Sequence, residues 1–156
     1  MELEKDNQEN TRWHVILGDV WEKQLTPVNI TVKTDFPIMS SSPRGDILLM
    51  RRDDPDWTDE QMKLLPDGIR DTKADHILVE FKFTESANHD ALKQALSYDF
   101  FYKRVQESIA SERVQTFILS SKTPLEDIRK EMGFTKETKQ GVYKNSNKIA
   151  GTVQLI

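Results

Sequence analysis

An α/β fold, with a mixed central sheet of about four to six strands flanked by helices, is what this sequence predicts. Three observations lead to it. Strand-like runs stand early in the chain, over Asn29–Ile38 and Asp46–Met50. A strand, a long helix and a second strand then follow one another between His76 and Ser120. Such a β-α-β succession predicts parallel strands joined by a right-handed crossover. Finally, the chain has 156 residues, 37% of them hydrophobic, enough for one core.

Taken in order, the elements are as follows. Residues 1–10 (MELEKDNQEN) are polar and read as a disordered tail, with 11–156 forming a single domain. Thr11 caps a helix to about Leu25, because Trp13, Ile16, Leu17, Val20 and Trp21 recur at helical spacing. Pro27 ends it. From Asn29 to Ile38 the pattern alternates, with Ile30, Val32, Phe36 and Ile38 on one side, which predicts a half-buried strand. Ser40 to Gly45 is a turn. Asp46-Ile47-Leu48-Leu49-Met50 is apolar on both faces and reads as a central strand.

Thr58 and Gln61 form a capping-box pair for a short helix to about Leu65, which Pro66-Asp67-Gly68 breaks. His76 to Phe83 is the strongest strand signal. A long helix, Asn88 to Ser108, and a buried strand, Val114 to Ser120, come next. Pro124 to Met132 is a helix with Gly133 at its C-terminal end. The remainder, with Gly141 and Gly151 between short apolar runs, predicts a closing hairpin. No internal repeat is present.

Composition narrows the chemistry. There is no cysteine, which excludes disulfides, thiolate nucleophiles and cysteine-ligated metal centres. No apolar run is long enough to span a bilayer, and the acidic start lacks the pattern of a secretion signal. The reading is a cytoplasmic protein with no membrane partner. The net charge of −4 and pI of about 5.4 run against a general affinity for polyanions. A site that gathers carboxylates around a metal is compatible with them.

Glu80 and Lys82 stand inside an otherwise apolar strand, two residues apart and therefore on one face. Burying a carboxylate and an ammonium there costs several kcal/mol unless they are paired or bind something. Asp46 opens the other apolar strand. If the two strands are neighbours, Asp46 and Glu80 converge, and a divalent cation removes their repulsion. Hard oxygen ligands suit Mg²⁺ or Mn²⁺. A lysine beside them can act on a water and on developing charge.

Ser42-Pro43-Arg44-Gly45-Asp46 before Ile47-Leu48-Leu49, followed by Leu78-Val79-Glu80-Phe81-Lys82, resembles the Asp…Glu-x-Lys signature of the PD-(D/E)XK nuclease superfamily, in particular its small prokaryotic members. The resemblance covers about residues 13–120. It implies a restriction-endonuclease-like α-β-β-β-α-β core and metal-dependent hydrolysis of nucleic acid, DNA above all. Asp46 and Glu80 would hold Mg²⁺ or Mn²⁺, the backbone carbonyl of Phe81 would be a third ligand, and Lys82 the catalytic lysine. The proline stands three residues before Asp46 rather than directly before it. In this superfamily the next helix often sends a polar residue to the site. Gln94, in a stripe with Ala91, Tyr98, Phe101, Val105 and Ile109, fits that place, with Tyr98 beside it.

Other candidates compete with plainer roles. Glu22 lies on the first helix but opposite its apolar stripe, and Asp35 on the polar side of its strand. His14, His76 and His89 have no ligand spacing between them. The charge run around Arg51, Arg52, Asp53, Asp54 and Asp56 reads as a solvated loop, with Trp57 anchoring it rather than stacking on a base. Glu80 and Lys82 could also form a surface pair on a solvated edge strand. Two further functions compete with a nuclease: an inactive nuclease-fold binding or regulatory module, and an unrelated α/β interaction protein. A homodimer is compatible with all three.

Overall fold

The computed structural model describes residues 13–28, 31–34, 41–51 and 56–156. The chain divides into two compact units, Met1–Ser42 and Pro43–Ile156. In the first, α1 spans Trp13–Leu25 and runs into a 3-10 turn, Thr26–Val28, which holds Pro27. Thr11 lies outside the described residues. Ile16, Leu17, Val20 and Trp21 are each about half exposed. The strand expected over Asn29–Ile38 is not formed at residues 31–34, where no ladder partner meets the chain among the described residues. The rest of that run lies outside them.

The second unit is a six-stranded mixed sheet flanked by helices, as the sequence predicts. Its strands are β1 (Ile47–Met50), β2 (His76–Lys82), β3 (Val114–Ser120), β4 (Phe134–Lys139), β5 (Val142–Asn145) and β6 (Val153–Leu155), and its helices α2 (Asp59–Leu64), α3 (His89–Val105) and α4 (Glu126–Glu131). Across the sheet the order is β1-β2-β3-β6-β5-β4. β1 runs antiparallel to β2, and β2 parallel to β3 across α3. The predicted capping box is present. Thr58 accepts from the Gln61 N–H, and the Gln61 side chain accepts from the Thr58 N–H. Asn88 caps α3 through the Ala91 N–H. Gly133 follows α4 with φ at +88°, the left-handed conformation glycine adopts freely.

Each sheet face carries its own core. Under α3 and α4 lie Leu92, Ala95, Ile118, Phe134, Tyr143, Val153 and Leu155. On the other face Ile77, Val79 and Phe117 pack with Ile69, Trp57 and Leu65 from the segment between β1 and β2. Gly68, with φ at +85°, starts the turn that lays Ile69 on that face. A Cβ there would stand 2.8 Å from Ile156 Cγ2 and 2.9 Å from Val142 Cγ1.

Two further expectations need correction. β1 is an edge strand among the described residues, with Ile47, Leu48 and Met50 exposed, because it pairs only with β2. Apolar residues on both sides did not make it central. The buried side of α3 runs through Ala91, Leu92, Ala95 and Asp99, while Phe101 and Val105 are exposed. Asp99 is drawn inward by the hydroxyls of Thr116 at 2.8 Å and Thr152 at 3.4 Å, which turns that side to the sheet, and Lys103 on the same helix pairs with it at 2.8 Å. The closing hairpin expected at the C-terminal end is present as β4–β5 about Gly141, and β5 pairs antiparallel in turn with β6, which inserts between β3 and β5.

Candidate functional site

Alternation along β2 turns Leu78, Glu80 and Lys82 to the α3 side and Ile77, Val79 and Phe81 to the other. The ladder partner of Glu80 is Ile118 of β3, so the carboxylate projects from an internal strand. Glu80 is 4% exposed, beside a small cavity lined in part by Gly45, Ala95, Tyr98 and Thr116. The reading of Glu80 and Lys82 as a surface pair on a solvated edge strand is thereby excluded.

Lys82 Nζ donates to Glu80 Oε1 at 2.9 Å and to Gln94 Oε1 at 3.1 Å. The Gln94 amide turns its oxygen to Lys82 because its Nε2 donates to Tyr98 OH at 3.0 Å. An ammonium has three N–H groups, so one remains for another acceptor. The second carboxylate oxygen, Glu80 Oε2, is buried and has no hydrogen-bond partner. An anionic oxygen in that state is costly, and buried charge is ordinarily paired or bound to a cation.

Asp46 sits in the bend just before β1. The β1–β2 register pairs Ile47 with Val79, so one step outward Asp46 comes opposite Glu80. It is exposed, and its Oδ2 accepts the Phe81 N–H at 2.8 Å. The carboxylate thus takes the place of the next ladder acceptor. The Lys82 carbonyl accepts from Ser121 N on the β3 side. Alternation therefore directs the Phe81 N–H and carbonyl to the β1 side, where Asp46 stands. The structure brings together Glu80, Lys82, Gln94 and Tyr98 by direct hydrogen bonds, and Asp46 and Phe81 by another.

Two carboxylates and a carbonyl are a donor set of hard oxygens that fits a small divalent cation. The orphaned Glu80 oxygen is the feature such an ion would complete. Among the described residues, no group of three or more His, Cys, Asp or Glu side chains gathers to hold a metal. The set in question has only two such side chains.

The remaining candidates fall elsewhere. Glu22 is exposed on α1 in the first unit, and Asp35 lies outside the described residues, as do Arg52, Asp53, Asp54 and the side chain of His14. His76 Nδ1 lies 2.6 Å from Tyr102 OH, and exposed His89 pairs with Glu131 at 3.4 Å. Trp57 anchors its loop: Nε1 donates to the Ala74 carbonyl at 2.8 Å, and the Arg51 guanidinium lies 5.5 Å from its ring centre.

Two polar clusters escaped the sequence reading. Asp75, buried just ahead of β2, bonds Arg113 and also Arg51 at 3.2 Å. Burial pushes its carboxyl up, but the Arg113 hydrogen bond and charge, its own backbone N–H and Arg51 outweigh this, leaving it below the ordinary carboxylate range. Burial, with the Asp75 charge second, holds the Tyr102 hydroxyl above its ordinary value. Asp99, bonded to Thr116 and Lys103, stands on the same helical face as Ala91 and Ala95. That spacing was the one available signal.

The sequence matches no family model, no curated protein and no solved structure. No helix among the described residues is long and apolar enough to cross a membrane.

Proposed function

We propose that the chain is a metal-dependent nuclease that hydrolyses phosphodiester bonds of nucleic acid, DNA in the first instance, at a site made by Asp46, Glu80, Phe81, Lys82 and Gln94. The observation that carries this reading is the buried, unpartnered Oε2 of Glu80 beside an ammonium already bound to Oε1. A purely structural ion pair has no use for an orphaned anionic oxygen under a helix. Mg²⁺ or Mn²⁺ would be held by Asp46, Glu80 and the Phe81 carbonyl, where it would supply neutralising charge and polarise the scissile phosphate.

The chain's own groups have separable tasks. Gln94 and Glu80 hold Lys82 Nζ in place, and Tyr98 holds Gln94. Lys82 offers its third N–H to a phosphoryl oxygen or the attacking water, so its charge meets negative charge as it develops. The cover of α3 keeps bulk water from Glu80, which strengthens every interaction at that point. One observation favours the inactive binding module as a second reading: Asp46 already uses an oxygen to end the β1–β2 ladder, a structural task on its own.

The test compares Lys82→Ala and Glu80→Ala with the unmodified protein, by Mn²⁺ titration calorimetry and cleavage of labelled DNA. Lys82→Ala should keep Mn²⁺ binding and lose about a hundredfold or more in cleavage. Glu80→Ala should lose both. Mn²⁺ binding without cleavage by the unmodified protein selects the binding module. Absence of Mn²⁺ binding removes both readings.

A further inference from the structure

The sheet topology brings the ends of three strands to one level at the carboxyl end of β2. β3 runs parallel to β2 and stops at Ser120, the ladder partner of Lys82. Antiparallel β1 starts at the same level, from the bend in which Asp46 accepts the Phe81 N–H. Each strand end carries a cation. Lys82 stands on β2. Arg44 stands two residues before Asp46, beside Gly45, which shares the small cavity with Glu80. Lys122 stands two residues after Ser120. Its backbone is tied to β2, because the Lys82 carbonyl accepts from Ser121 N at 2.9 Å and the Phe83 carbonyl from Ser121 Oγ.

Neither outer cation is neutralised. Arg44 is exposed and has no hydrogen-bond or ion-pair partner among the described residues. Lys122 is exposed, and its Nζ donates to the Thr84 carbonyl at 3.4 Å. Two of its three N–H groups are left, and it forms no ion pair with exposed Glu85. Exposed lysines on the helices differ: Lys93 pairs with Asp90 and Lys130 with Glu126. The chain carries −4 overall, so attraction for a polyanion has to come from such a local group of cations. Adjacent strands lie about 4.8 Å apart, which puts the ends of β1 and β3 roughly 10 Å apart with β2 between them. A nucleic-acid strand carries one phosphate per about 3.4 Å of duplex axis. With one phosphate at Lys82, its neighbours on either side come within reach of the long Arg44 and Lys122 side chains.

We propose that Arg44 and Lys122 bind the phosphates on either side of the one acted on at Glu80 and Lys82. The substrate is then an internal phosphodiester of a polynucleotide chain, laid across the ends of β1, β2 and β3, rather than an isolated diester. This rests on the nuclease reading and specifies its substrate.

The experiment measures Mn²⁺-dependent hydrolysis of labelled DNA and of bis-para-nitrophenyl phosphate, a diester with no neighbouring phosphate. It uses the unmodified protein, Arg44→Ala, Lys122→Ala, the charge-keeping Arg44→Lys and Lys122→Arg, and Lys130→Ala as a control that makes the same change in net charge. Arg44→Ala and Lys122→Ala should each raise KM for DNA about fivefold or more and lower the slope of log KM against log salt by about one. Both should leave kcat on DNA and all hydrolysis of the small diester unchanged. The charge-keeping variants should behave as the unmodified protein, and so should Lys130→Ala. An unchanged KM for DNA in both alanine variants, or an equal rise in Lys130→Ala, would overturn the phosphate row. Parallel losses on the small diester would overturn it too, because the two cations would then act at the reacting phosphate. Hydrolysis of the small diester without cleavage of DNA by the unmodified protein rejects the row and keeps the metal site. If the unmodified protein hydrolyses neither substrate, the nuclease reading falls and the row with it.

Discussion

Lys82→Met is the sharpest probe of the buried pair. It removes the ammonium, keeps the length of the side chain and leaves Glu80 with neither oxygen paired. The charges lie 2.9 Å apart, with the lysine side chain 24% exposed and the glutamate 4%. At an effective dielectric near 20, unit charges at that separation attract by roughly 6 kcal/mol. Desolvation offsets much of this, and removing one partner of a buried pair typically costs about 3–5 kcal/mol. The Lys82 ammonium is itself partly solvated, so the lower end, about 3 kcal/mol, applies. For a chain of this size that lowers Tm by about 6–12 °C. Glu80→Gln/Lys82→Met together should recover about 2 kcal/mol of the loss, since no unpaired anion remains. Circular-dichroism melts of the single and double variants measure both. Mg²⁺ should raise the Tm of Lys82→Met by more than that of the unmodified protein, because the ion then offsets a larger deficit. A Tm for Lys82→Met within a degree or so of the unmodified protein would show that Glu80 is solvated, and the reasoning from its orphaned oxygen would collapse.

Asp75→Asn should destabilise the fold by about 2–3 kcal/mol at neutral pH, below the full figure for a buried pair because Arg113 is half exposed. Because the Asp75 carboxyl lies below the ordinary range in the folded chain, its contribution is present at neutral pH. It is lost as pH falls from that range through the lower folded value, so urea titrations of Asp75→Asn should show a flatter acid limb there. Thr58→Ala removes the acceptor for the Gln61 N–H and should cost about 1 kcal/mol in denaturant melts, with no change in Mn²⁺ affinity. Gly68→Ala forces a side chain into the left-handed region and against Ile156 and Val142. A loss of about 2 kcal/mol or more is expected, and a neutral result would mean that the turn can shift away from both.

What was legible in the sequence follows how local each signal is. The capping box at Thr58, the long helix after Asn88 and the strands at His76 and Val114 are fixed by neighbours a few residues away; they form where expected, although the helix ends at Val105 rather than Ser108. Glu80 and Lys82 were legible because charge inside an apolar strand contradicts its surroundings, and Gln94 because a glutamine stood in an apolar stripe, although Phe101 and Val105 of that stripe are exposed. Where partners are distant in sequence, the signal failed. Nothing in Ile47–Met50 says that it pairs on one side only, and an apolar edge strand reads like a central one. The place of β6 depends on β3 and β5 together. The inward turn of Asp99 depends on hydroxyls from Thr116 and Thr152, on separate elements. Asp46 was found by motif, but its bond to the Phe81 N–H could not be, because that depends on where the ladder stops.

The insertion of β6 has a consequence for how the sheet opens. β1, β2 and β3 are laced to one another, as are β4 and β5, but among the described residues the two groups are joined by backbone hydrogen bonds only through the short C-terminal segment Thr152–Ile156 that carries β6. Detaching that short strand unzips the sheet along its middle and leaves two smaller ones, bridged by the side chains that α3 and α4 cover. Amide exchange of the β4–β5 hairpin is then set by a sub-global opening that spares β2 and β3, the strands on which Glu80, Lys82 and the cover of α3 depend. The hairpin half can fluctuate, or take up changes in sequence, while the half bearing the carboxylates stays shut.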